Sequence, residues 1–388
     1  MKYNQQYFDQ IHDRKNTLSI KYDVVSDDML SMWVADMDFK TCDAISEALS
    51  KCALHGIYGY SNGGKQYLNS VIKWMKERHH YDIQSEWIIQ TPGIVFALIQ
   101  AIKALTNKND GVMVMMPIYP PFVKNIVMLE RKLVSTQLQL VNDQYVVNFE
   151  DMEQKMKDEQ VKMLLFCSPH NPIGKMYSKE ELEKIAALCL KYNVILVSDE
   201  IHMDFELFNH QHIMSASISK EIEQQCITCT SPSKTFNLAG LQVSNIIIAN
   251  EEYRNKFKQQ LDIVGYHGLN VMALHACIAA YNHASDWLDG MLEYIEENVK
   301  ILKQTFNQDH PYIHIYDMQA TYLAWLDCRK LNKTDEQLKQ FFEEEVKIKC
   351  NMGYTFYEGG SGFVRMNLAC PKEIVKEAIK RINQKLGV

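Results

Sequence analysis

The stretch SKEELEKIAALCLKYNVILVSDE, residues 178–200, predicts a helix followed directly by a strand. Ser178 and Glu181 have the spacing of a capping box, which begins a helix that continues through EELEKIAALCLKY. The apolar run VILVS (194–198) is typical of a core strand. The stretch therefore indicates an α/β fold, and the carboxylates of Asp199 and Glu200 lie at the end of the predicted strand.

The same alternation of short apolar runs and amphipathic stretches continues on both sides of this unit. A turn, Thr91-Pro92-Gly93, precedes a predicted helix at about 94–106. Further strands are predicted at 87–90, 112–116, 161–167 and 226–230. Strands that alternate with helices indicate a mostly parallel sheet covered by helices.

The C-terminal third has a different pattern, which predicts a smaller α+β domain. An amphipathic helix around 286–306 precedes a strand at 322–326, a charged helix near 334–346 and a strand at 362–368. We therefore expect an N-terminal segment that contributes to the small domain (1–45), a large domain (46–285) and a small C-terminal domain (286–388), with a cleft between the domains.

Composition excludes several classes of protein. The 388 residues carry 41 Lys+Arg and 48 Asp+Glu, and this net charge of −7 gives no electrostatic reason to expect nucleic acid or an anionic membrane. No apolar run approaches the roughly 18 residues of a membrane span, and the first residues lack a signal-peptide core.

The ten cysteines are scattered through apolar stretches, which is typical of a reducing compartment, so we expect a cytoplasmic protein. Cys226 and Cys229 form a close pair without a second pair of ligands, so burial in a strand is favoured over a metal or redox site.

Polar residues follow the predicted strands at the point where each strand ends. Because the carboxyl ends of parallel strands share one edge, where ligands bind, we expect these side chains to form one site. They are Gly93, Tyr119, Asn171, Asp199, His202, Ser231, Ser233 and Lys234. Each also has an ordinary structural interpretation, as a turn, a helix cap, a packed ring or a solvated charge. The run from Asp199 to Asp204 offers carboxylates and a histidine to a metal as a further alternative.

Taken together, these residues indicate one particular kind of ligand. A helix start at Gly93 suits a phosphate, Tyr119 suits a flat ring, and a lysine among small residues is suited to a Schiff base. A carboxylate beside a pyridine nitrogen keeps that nitrogen protonated. Pyridoxal phosphate has the phosphate, the ring, a phenolic oxygen and the basic nitrogen, so it is the predicted cofactor.

Three segments resemble the class I/II, fold-type I pyridoxal-phosphate aminotransferase superfamily: SPHNPIGK (168–175), SDEIHMD (198–204) and SPSKTFNLAGLQ (231–242). Five others resemble its MalY/PatB-type cystathionine β-lyase subgroup: MWVADMDF (32–39), HGIYGYSNG (55–63), PIYPPF (117–122), TYLAWLD (321–327) and GYTFYEGGSGFVRMNLACP (353–371). The resemblance extends along essentially the whole chain and implies the fold-type I architecture.

The resemblance implies a role for each residue around the cofactor. Lys234 would form the Schiff base and later take the substrate Cα proton, and Asp199 would pair with the pyridinium nitrogen. Asn171 would donate to the phenolic oxygen, and Tyr119 would stack on the ring. The phosphate would be held by the backbone of Gly93, Ile94 and Val95 and by the hydroxyls of Ser231 and Ser233. His202 stands where aminotransferases often have a tyrosine that touches the phenolic oxygen, and Gln242 replaces the phosphate-binding arginine of aspartate aminotransferases.

The same resemblance implies the substrate side of the site. Arg365 would clamp the substrate carboxylate in a bidentate manner, with a structural salt bridge as the alternative. The backbone near Ala35 and Asp36 would lie beside the amino acid. Tyr60 would enter the neighbouring subunit's site, which implies a homodimer. Lys234, Tyr60 or Tyr119 would supply a proton to the leaving sulfur.

The predicted activity is therefore a carbon–sulfur β-lyase that cleaves L-cystathionine and related S-substituted cysteines to a thiol, pyruvate and ammonia. Two alternatives remain open at this stage. The same cofactor chemistry serves an aminotransferase, and a regulatory or binding protein could retain the fold, although it would need neither Lys234 nor Arg365. A regulatory partner in addition to catalysis is compatible with the sequence.

Overall fold

The computed structural model describes residues 2–308 and 311–388. Its strands are β1 (Leu30–Ser31), β2 (Ile88–Thr91), β3 (Gly111–Met116), β4 (Lys132–Gln137), β5 (Gln139–Val141), β6 (Gln144–Val146), β7 (Val161–Cys167), β8 (Ile195–Asp199), β9 (Cys226–Thr230), β10 (Ser244–Ile247), β11 (His314–Ile315), β12 (Leu323–Asp327), β13 (Ile348–Lys349), β14 (Asn351–Met352) and β15 (Phe363–Asn367). Its helices are α1 (Gln5–Phe8), α2 (Asp43–His55), α3 (Gly64–His79), α4 (Ile94–Leu105), α5 (Pro120–Met128), α6 (Phe149–Asp158), α7 (Lys179–Lys191), α8 (Lys220–Glu223), α9 (Pro232–Thr235), α10 (Glu251–Ile263), α11 (Val271–His283), α12 (Ser285–Gln308), α13 (Asp335–Gln340) and α14 (Lys372–Leu386).

A seven-stranded sheet forms the centre of the fold, in the order β2-β10-β9-β8-β7-β3-β4. The pairs β3/β4, β3/β7, β7/β8 and β8/β9 are parallel, whereas β10 pairs antiparallel with both β2 and β9. The prediction of a mostly parallel sheet covered by helices is thus confirmed. The antiparallel strand β10 has a consequence for the site, because it brings its amino end to the edge where the other six strands end.

The sheet is buried on both faces, which explains its continuous apolar strands. Successive side chains of a strand point to opposite faces. In β3, Val112 and Val114 pack in a core with α4, α5 and α10, whereas Met113 and Met115 pack in the core on the other face. The predicted strands 161–167 and 226–230 are confirmed as β7 and β9. The predicted capping box at Ser178 and Glu181 begins α7, with both reciprocal hydrogen bonds present.

A second, antiparallel sheet has the order β11-β12-β15-β14 and contains the strands predicted near 322–326 and 362–368. The predicted charged helix is α13, which a π-helical turn extends through Phe341–Glu345. The N-terminal segment pairs with this part of the chain, because β1 lies parallel to β13 and the Asp38 amide donates to the Ala369 carbonyl. The domain boundaries at residues 45 and 285 stay a prediction; the seven strands of the large sheet lie between them.

All ten cysteines are free and buried, and Cys226 and Cys229 lie within β9, as expected of core cysteines. In the described ranges we find no cluster of three or more His, Cys, Asp or Glu side chains suited to a metal ion. None of the helices in residues 2–308 and 311–388 combines the length and apolar character that a membrane crossing requires.

Candidate active site

A cavity of about 340 Å³, here called the inner cavity, opens at the carboxyl-end edge of the large sheet. Residues that follow β2, β3, β7, β8 and β9 line it, together with residues that precede β10. The predicted site residues on its wall are Ala35, Gly93, Ile94, Val95, Tyr119, Asn171, Asp199, His202, Ser233 and Lys234. Residues far apart in the sequence thus meet at one site, as the rule for parallel strand ends requires.

Lys234 lies on α9, a single helical turn that begins directly after β9. Its Nζ atom donates a hydrogen bond to the Ala35 carbonyl oxygen over 2.5 Å, and the Tyr322 hydroxyl donates to the same oxygen over 2.9 Å. Burial, together with the positive charge of Arg365, lowers the pKa of Lys234 to about 8, although the carboxylates of Asp36 and Asp199 act in the opposite direction. A neutral amine is therefore accessible near neutral pH, which a nucleophile or proton acceptor requires.

Asp199 closes β8 and is buried, with 6% of its surface exposed. Its Oδ1 accepts the Ile201 amide hydrogen over 3.1 Å, and within residues 2–308 and 311–388 no lysine, arginine or histidine pairs with it. Burial raises the pKa of Asp199 to about 7. This carboxylate lacks a cationic partner, and a protonated ring nitrogen in the inner cavity would supply one.

Asn171 and Arg365 form a linked pair on the next part of the wall. Arg365 Nη1 donates to Asn171 Oδ1 over 3.0 Å, and Asn171 lines the inner cavity. Because Arg365 engages the amide oxygen, the amide nitrogen is the group that Asn171 can offer to a ligand as a donor. Arg365 Nη2 donates to Asn351 Oδ1 over 2.6 Å and to the Trp33 carbonyl over 3.2 Å. Its Nε atom is buried and finds no partner in the described parts of the chain, and Arg365 is not among the residues that line the inner cavity.

The part of the inner cavity that Gly93, Ile94 and Val95 line has the features of an anion-binding helix start. The first turn of α4 follows Gly93, whose φ of 119° lies in the region that favours glycine, and the amides of Ile94 and Val95 stand at the helix start. The Gly93 amide is already occupied, because it donates to Ser244 Oγ over 3.1 Å. Ile94, Val95 and the Ser233 side chain remain for a phosphate.

Ser231 has a different position from the one that the resemblance implies. Its hydroxyl donates to the Val243 carbonyl over 2.5 Å and accepts the Ser233 amide over 3.0 Å, so it caps α9. It does not line the inner cavity, whereas Ser233 does. The Ser231 hydroxyl therefore supports the turn that carries Ser233 and Lys234, instead of facing the cavity.

Tyr119 and His202 complete the wall with rings. The half-buried Tyr119 phenol has a raised pKa because of burial, so it stays protonated near neutral pH. Burial, with the positive charges of Lys234 and Arg365, lowers the pKa of His202 to about 3, so this ring is neutral. The Nδ1 atom of His202 is buried and has no hydrogen-bond partner among the residues that the structure describes.

Asp36 and Tyr60 do not reach the inner cavity of this chain. The Asp36 carboxylate forms an ion pair with Arg14 over 2.9 Å, although the neighbouring Ala35 does line the cavity. The Tyr60 side chain is fully exposed, and it lies in a segment without regular secondary structure between α2 and α3.

Several residues of the site were missed by sequence reasoning. Ser244 and Val243 reach the edge because β10 is antiparallel, so they precede their strand, and the rule for the carboxyl ends of strands does not include them. Tyr322 lies within the TYLAWLD motif and Asn351 just before the motif at 353–371, but their contacts with the Ala35 carbonyl and with Arg365 depend on the folded chain. Asp204 is the last residue of the SDEIHMD motif, but its hydrogen-bond partners could not be predicted from the sequence.

Asp204 is a fully buried carboxylate that connects three parts of the chain. It accepts hydrogen bonds from His79 Nε2 (2.8 Å) and Trp74 Nε1 (3.1 Å) of α3 and from the Thr235 hydroxyl (2.5 Å) of α9. His79 and Thr235 lower its pKa against the effect of burial, so it is ionised. Thr235 follows Lys234 directly, so this carboxylate fixes the turn that carries the lysine.

The inner cavity fits pyridoxal phosphate. An unpaired buried carboxylate is present for the ring nitrogen, an oriented amide for the phenolic oxygen, a tyrosine for the ring and helix-start amides for the phosphate. Lys234, whose pKa is lowered, lies in the same cavity. The chemistry of this donor set matches each polar group of the cofactor.

Comparison with known proteins gives consistent results. Residues 27–382 match the family model described as aminotransferase class I and II. Cystathionine beta-lyase PatB of Bacillus subtilis is 38% identical over 98% of this chain and 100% of its own length, and protein MalY of Escherichia coli is 32% identical over 96% of each chain. The crystal structure of cystalysin from Treponema denticola, which contains pyridoxal 5'-phosphate, superposes with a TM-score of 0.95 at 37% identity over 98% of both chains. The chain belongs to the aminotransferase class I and II family.

Proposed function

We propose that this protein is a pyridoxal-phosphate-dependent carbon–sulfur β-lyase, which converts L-cystathionine and water to homocysteine, pyruvate and ammonia. The observation that carries the proposal is the meeting of Lys234, Asp199 and the Asn171–Arg365 pair around one cavity. The full-length similarity to PatB, which is named a cystathionine β-lyase, supports this choice among the reactions that such a site serves. When bound, the cofactor acts as an electron sink for charge that develops at the substrate Cα.

The side chains have distinct tasks in this proposal. Asp199 holds the protonated ring nitrogen, Asn171 donates to the phenolic oxygen, and Tyr119 lies against the ring. Ile94, Val95 and Ser233 hold the phosphate, with Ser231 supporting the turn. Arg365, already fixed by Asn171, Asn351 and the Trp33 carbonyl, binds the substrate carboxylate through its guanidinium group.

Lys234 moves the protons. Its Nζ atom takes the substrate Cα proton, and the carbonyl of Ala35 gives the resulting ammonium a fixed acceptor 2.5 Å away. The ammonium is then a proton donor for the sulfur that leaves Cβ. The Tyr119 phenol is a second donor, since burial keeps it protonated. His202, which is neutral, serves as a fixed wall of the cavity in this proposal rather than as an acid.

The test measures pyruvate and free thiol released from L-cystathionine by the purified protein, with no 2-oxo acid added. Repeated turnover with equal amounts of both products is expected, because elimination regenerates the enzyme. One equivalent of the 2-oxo acid of the intact substrate, with no free thiol and with further turnover only when a 2-oxo acid acceptor is added, would instead identify an aminotransferase. Lys234→Ala should abolish turnover, and it separates a catalyst from a binding protein that merely keeps the fold.

We also propose that the active form is a homodimer with shared sites. Tyr60 is fully exposed, and its neighbours Leu54, Ile57 and Tyr58 are exposed large apolar side chains, which a partner subunit would cover. Mixing the separately inactive variants Tyr60→Ala and Lys234→Ala under conditions that exchange subunits should restore activity, because hybrid dimers contain one intact site. If the mixture is dimeric by light scattering and activity is still not restored, the proposal of shared sites is contradicted.

We further propose a cytoplasmic location, with which the ten free cysteines are in keeping.

A further inference from the structure

A second cavity of about 690 Å³, here called the outer cavity, adjoins the inner cavity. The two share Ala35, Lys234, Ala239 and Gln242 as lining residues, so the outer cavity begins where the reacting atoms of a substrate would lie. Its far wall is formed by the N-terminal segment 12–20 and by residues 36–40. With the cofactor in the inner cavity, the outer cavity is the adjoining space into which a substituent on the substrate sulfur can extend.

Four charges near the outer cavity neutralise one another. Asp38 pairs with Arg14 over 2.7 Å and with Lys21 over 3.0 Å, and Asp36 pairs with the same two cations over 2.9 and 3.6 Å. The Tyr22 hydroxyl also donates to Asp38 over 2.9 Å. This network fixes the N-terminal segment against residues 36–38 and leaves neither carboxylate unpaired.

Lys40 also lines the outer cavity, and its positive charge is not neutralised by this network. Its backbone carbonyl is held by the Trp287 indole over 3.1 Å, whereas, in the parts of the chain that the structure describes, its ammonium makes no ion pair. His12 lines the same cavity, and its pKa is lowered by burial and by Lys40, so it adds no charge at neutral pH. Leu18 and Ile20, which are largely exposed, add apolar side chains to the lining of the outer cavity.

From this arrangement we infer that the outer cavity binds the substituent on the substrate sulfur, and that Lys40 pairs with an anionic group at its far end. The favoured substrates are S-substituted cysteines whose substituent is a short chain that carries a carboxylate at its far end, a class that includes L-cystathionine, whose far carbon carries an ammonium beside the carboxylate. This inference rests on the proposed β-lyase function and specifies which leaving thiols the site selects. A carboxylate is favoured over an ammonium because the balanced network leaves a net positive wall.

The test compares two substrates that differ in the far end of the substituent. Steady-state kcat/KM is measured for L-cystathionine and for S-ethyl-L-cysteine, with the wild-type holoenzyme, Lys40→Gln and the control Lys51→Gln. Lys51 is an exposed lysine on α2 that lies on neither cavity, so its loss changes the net charge equally. Lys40→Gln should lower kcat/KM for L-cystathionine about three- to ten-fold through KM, as expected for a partly exposed charged hydrogen bond. S-ethyl-L-cysteine should change less than two-fold, and Lys51→Gln should change neither substrate.

An equal effect of Lys40→Gln on both substrates, or no effect on either, would overturn the inference while leaving the β-lyase function intact. If the wild-type protein releases pyruvate from neither substrate, the proposed function fails instead. The inference is then decided by binding, measured as the shift in melting temperature that each amino acid produces. A shift with L-cystathionine that Lys40→Gln reduces supports it, and a shift that is the same in both proteins, or absent in both, refutes it.

Discussion

Replacing Asp199 by Asn in the cofactor-free protein should change how the stability of the fold depends on pH. In the folded chain this carboxyl is buried, accepts the Ile201 amide and has no cationic partner among the described residues, so its pKa rises from an ordinary value of 3.8 to about 7. In the unfolded chain it titrates near its ordinary value. Between these two values the folded state holds a proton that the unfolded state has lost, so the contribution of Asp199 to stability falls as the pH rises.

The size of the effect follows from the shift in pKa. Each pKa unit corresponds to about 1.36 kcal/mol, so a shift of roughly three units costs the wild-type protein about 4 kcal/mol once the pH exceeds 7. Below pH 4 the carboxyl is protonated in both states and the cost disappears. Asparagine has a similar shape and cannot ionise, so the variant should not show this loss. With an unfolding entropy of about 2.1 cal/mol/K per residue, 4 kcal/mol in a chain of this length corresponds to about 5 °C.

The assay is thermal unfolding of the cofactor-free wild-type protein and Asp199→Asn at a series of pH values from 4 to 8.5. The melting temperature of the variant relative to the wild type should rise by about 5 °C between pH 4 and pH 7 and then stay level. Adding pyridoxal phosphate should reverse the order, because the wild-type carboxylate then has a cation to pair with. Parallel curves for the two cofactor-free proteins would refute the assignment of an unpaired, buried carboxylate.

Three further changes probe other parts of the site. Arg365→Lys should lower kcat/KM for S-substituted cysteines about 100-fold, because an ammonium cannot replace the forked guanidinium contacts; a loss below three-fold would contradict the role of a carboxylate clamp. Ser244→Ala removes the acceptor of the Gly93 amide and should weaken cofactor binding by about 1 kcal/mol, or roughly five-fold, in a fluorescence titration of the cofactor-free protein; an unchanged dissociation constant would show that this hydroxyl does not shape the phosphate turn. Asp204→Ala leaves three buried donors on α3 and α9 unpaired and should cost about 3–5 kcal/mol in urea unfolding, whereas a cost under 1 kcal/mol would mean that water or rearrangement satisfies them.

The predicted site residues that line the inner cavity share one property: most of them follow a strand or begin a helix. Lys234, Asp199 and Asn171 could be assigned to one site because every parallel strand of a sheet ends at the same edge. The capping box at Ser178 could be recognised because its hydrogen bonds are local. In both cases a short stretch of sequence and a general rule determine the position without any knowledge of distant contacts.

The features that could not be predicted depend on contacts between remote parts of the chain. The direction of β10 is decided by its pairing with β2 and β9, and that direction brings Ser244 to Gly93, 151 residues away. The Ala35 carbonyl receives Lys234 and Tyr322 from positions 199 and 287 residues further on. Ser231 could equally have faced a phosphate or capped its own helix, and only the position of the Val243 carbonyl decides between them.

The support of Arg365 has a consequence for the order in which the site is completed during synthesis. The large sheet needs no residue beyond β10, which ends at Ile247, whereas Arg365 lies on β15, which leaves the ribosome well after β10. Asn367 on the same strand donates to the carbonyls of Val34 and Asp36, so the N-terminal segment gains these contacts only after β15 has been synthesised. A growing chain therefore contains the sheet edge that lines the inner cavity before it contains Arg365, and the proposed binding of the substrate carboxylate becomes available later than that edge.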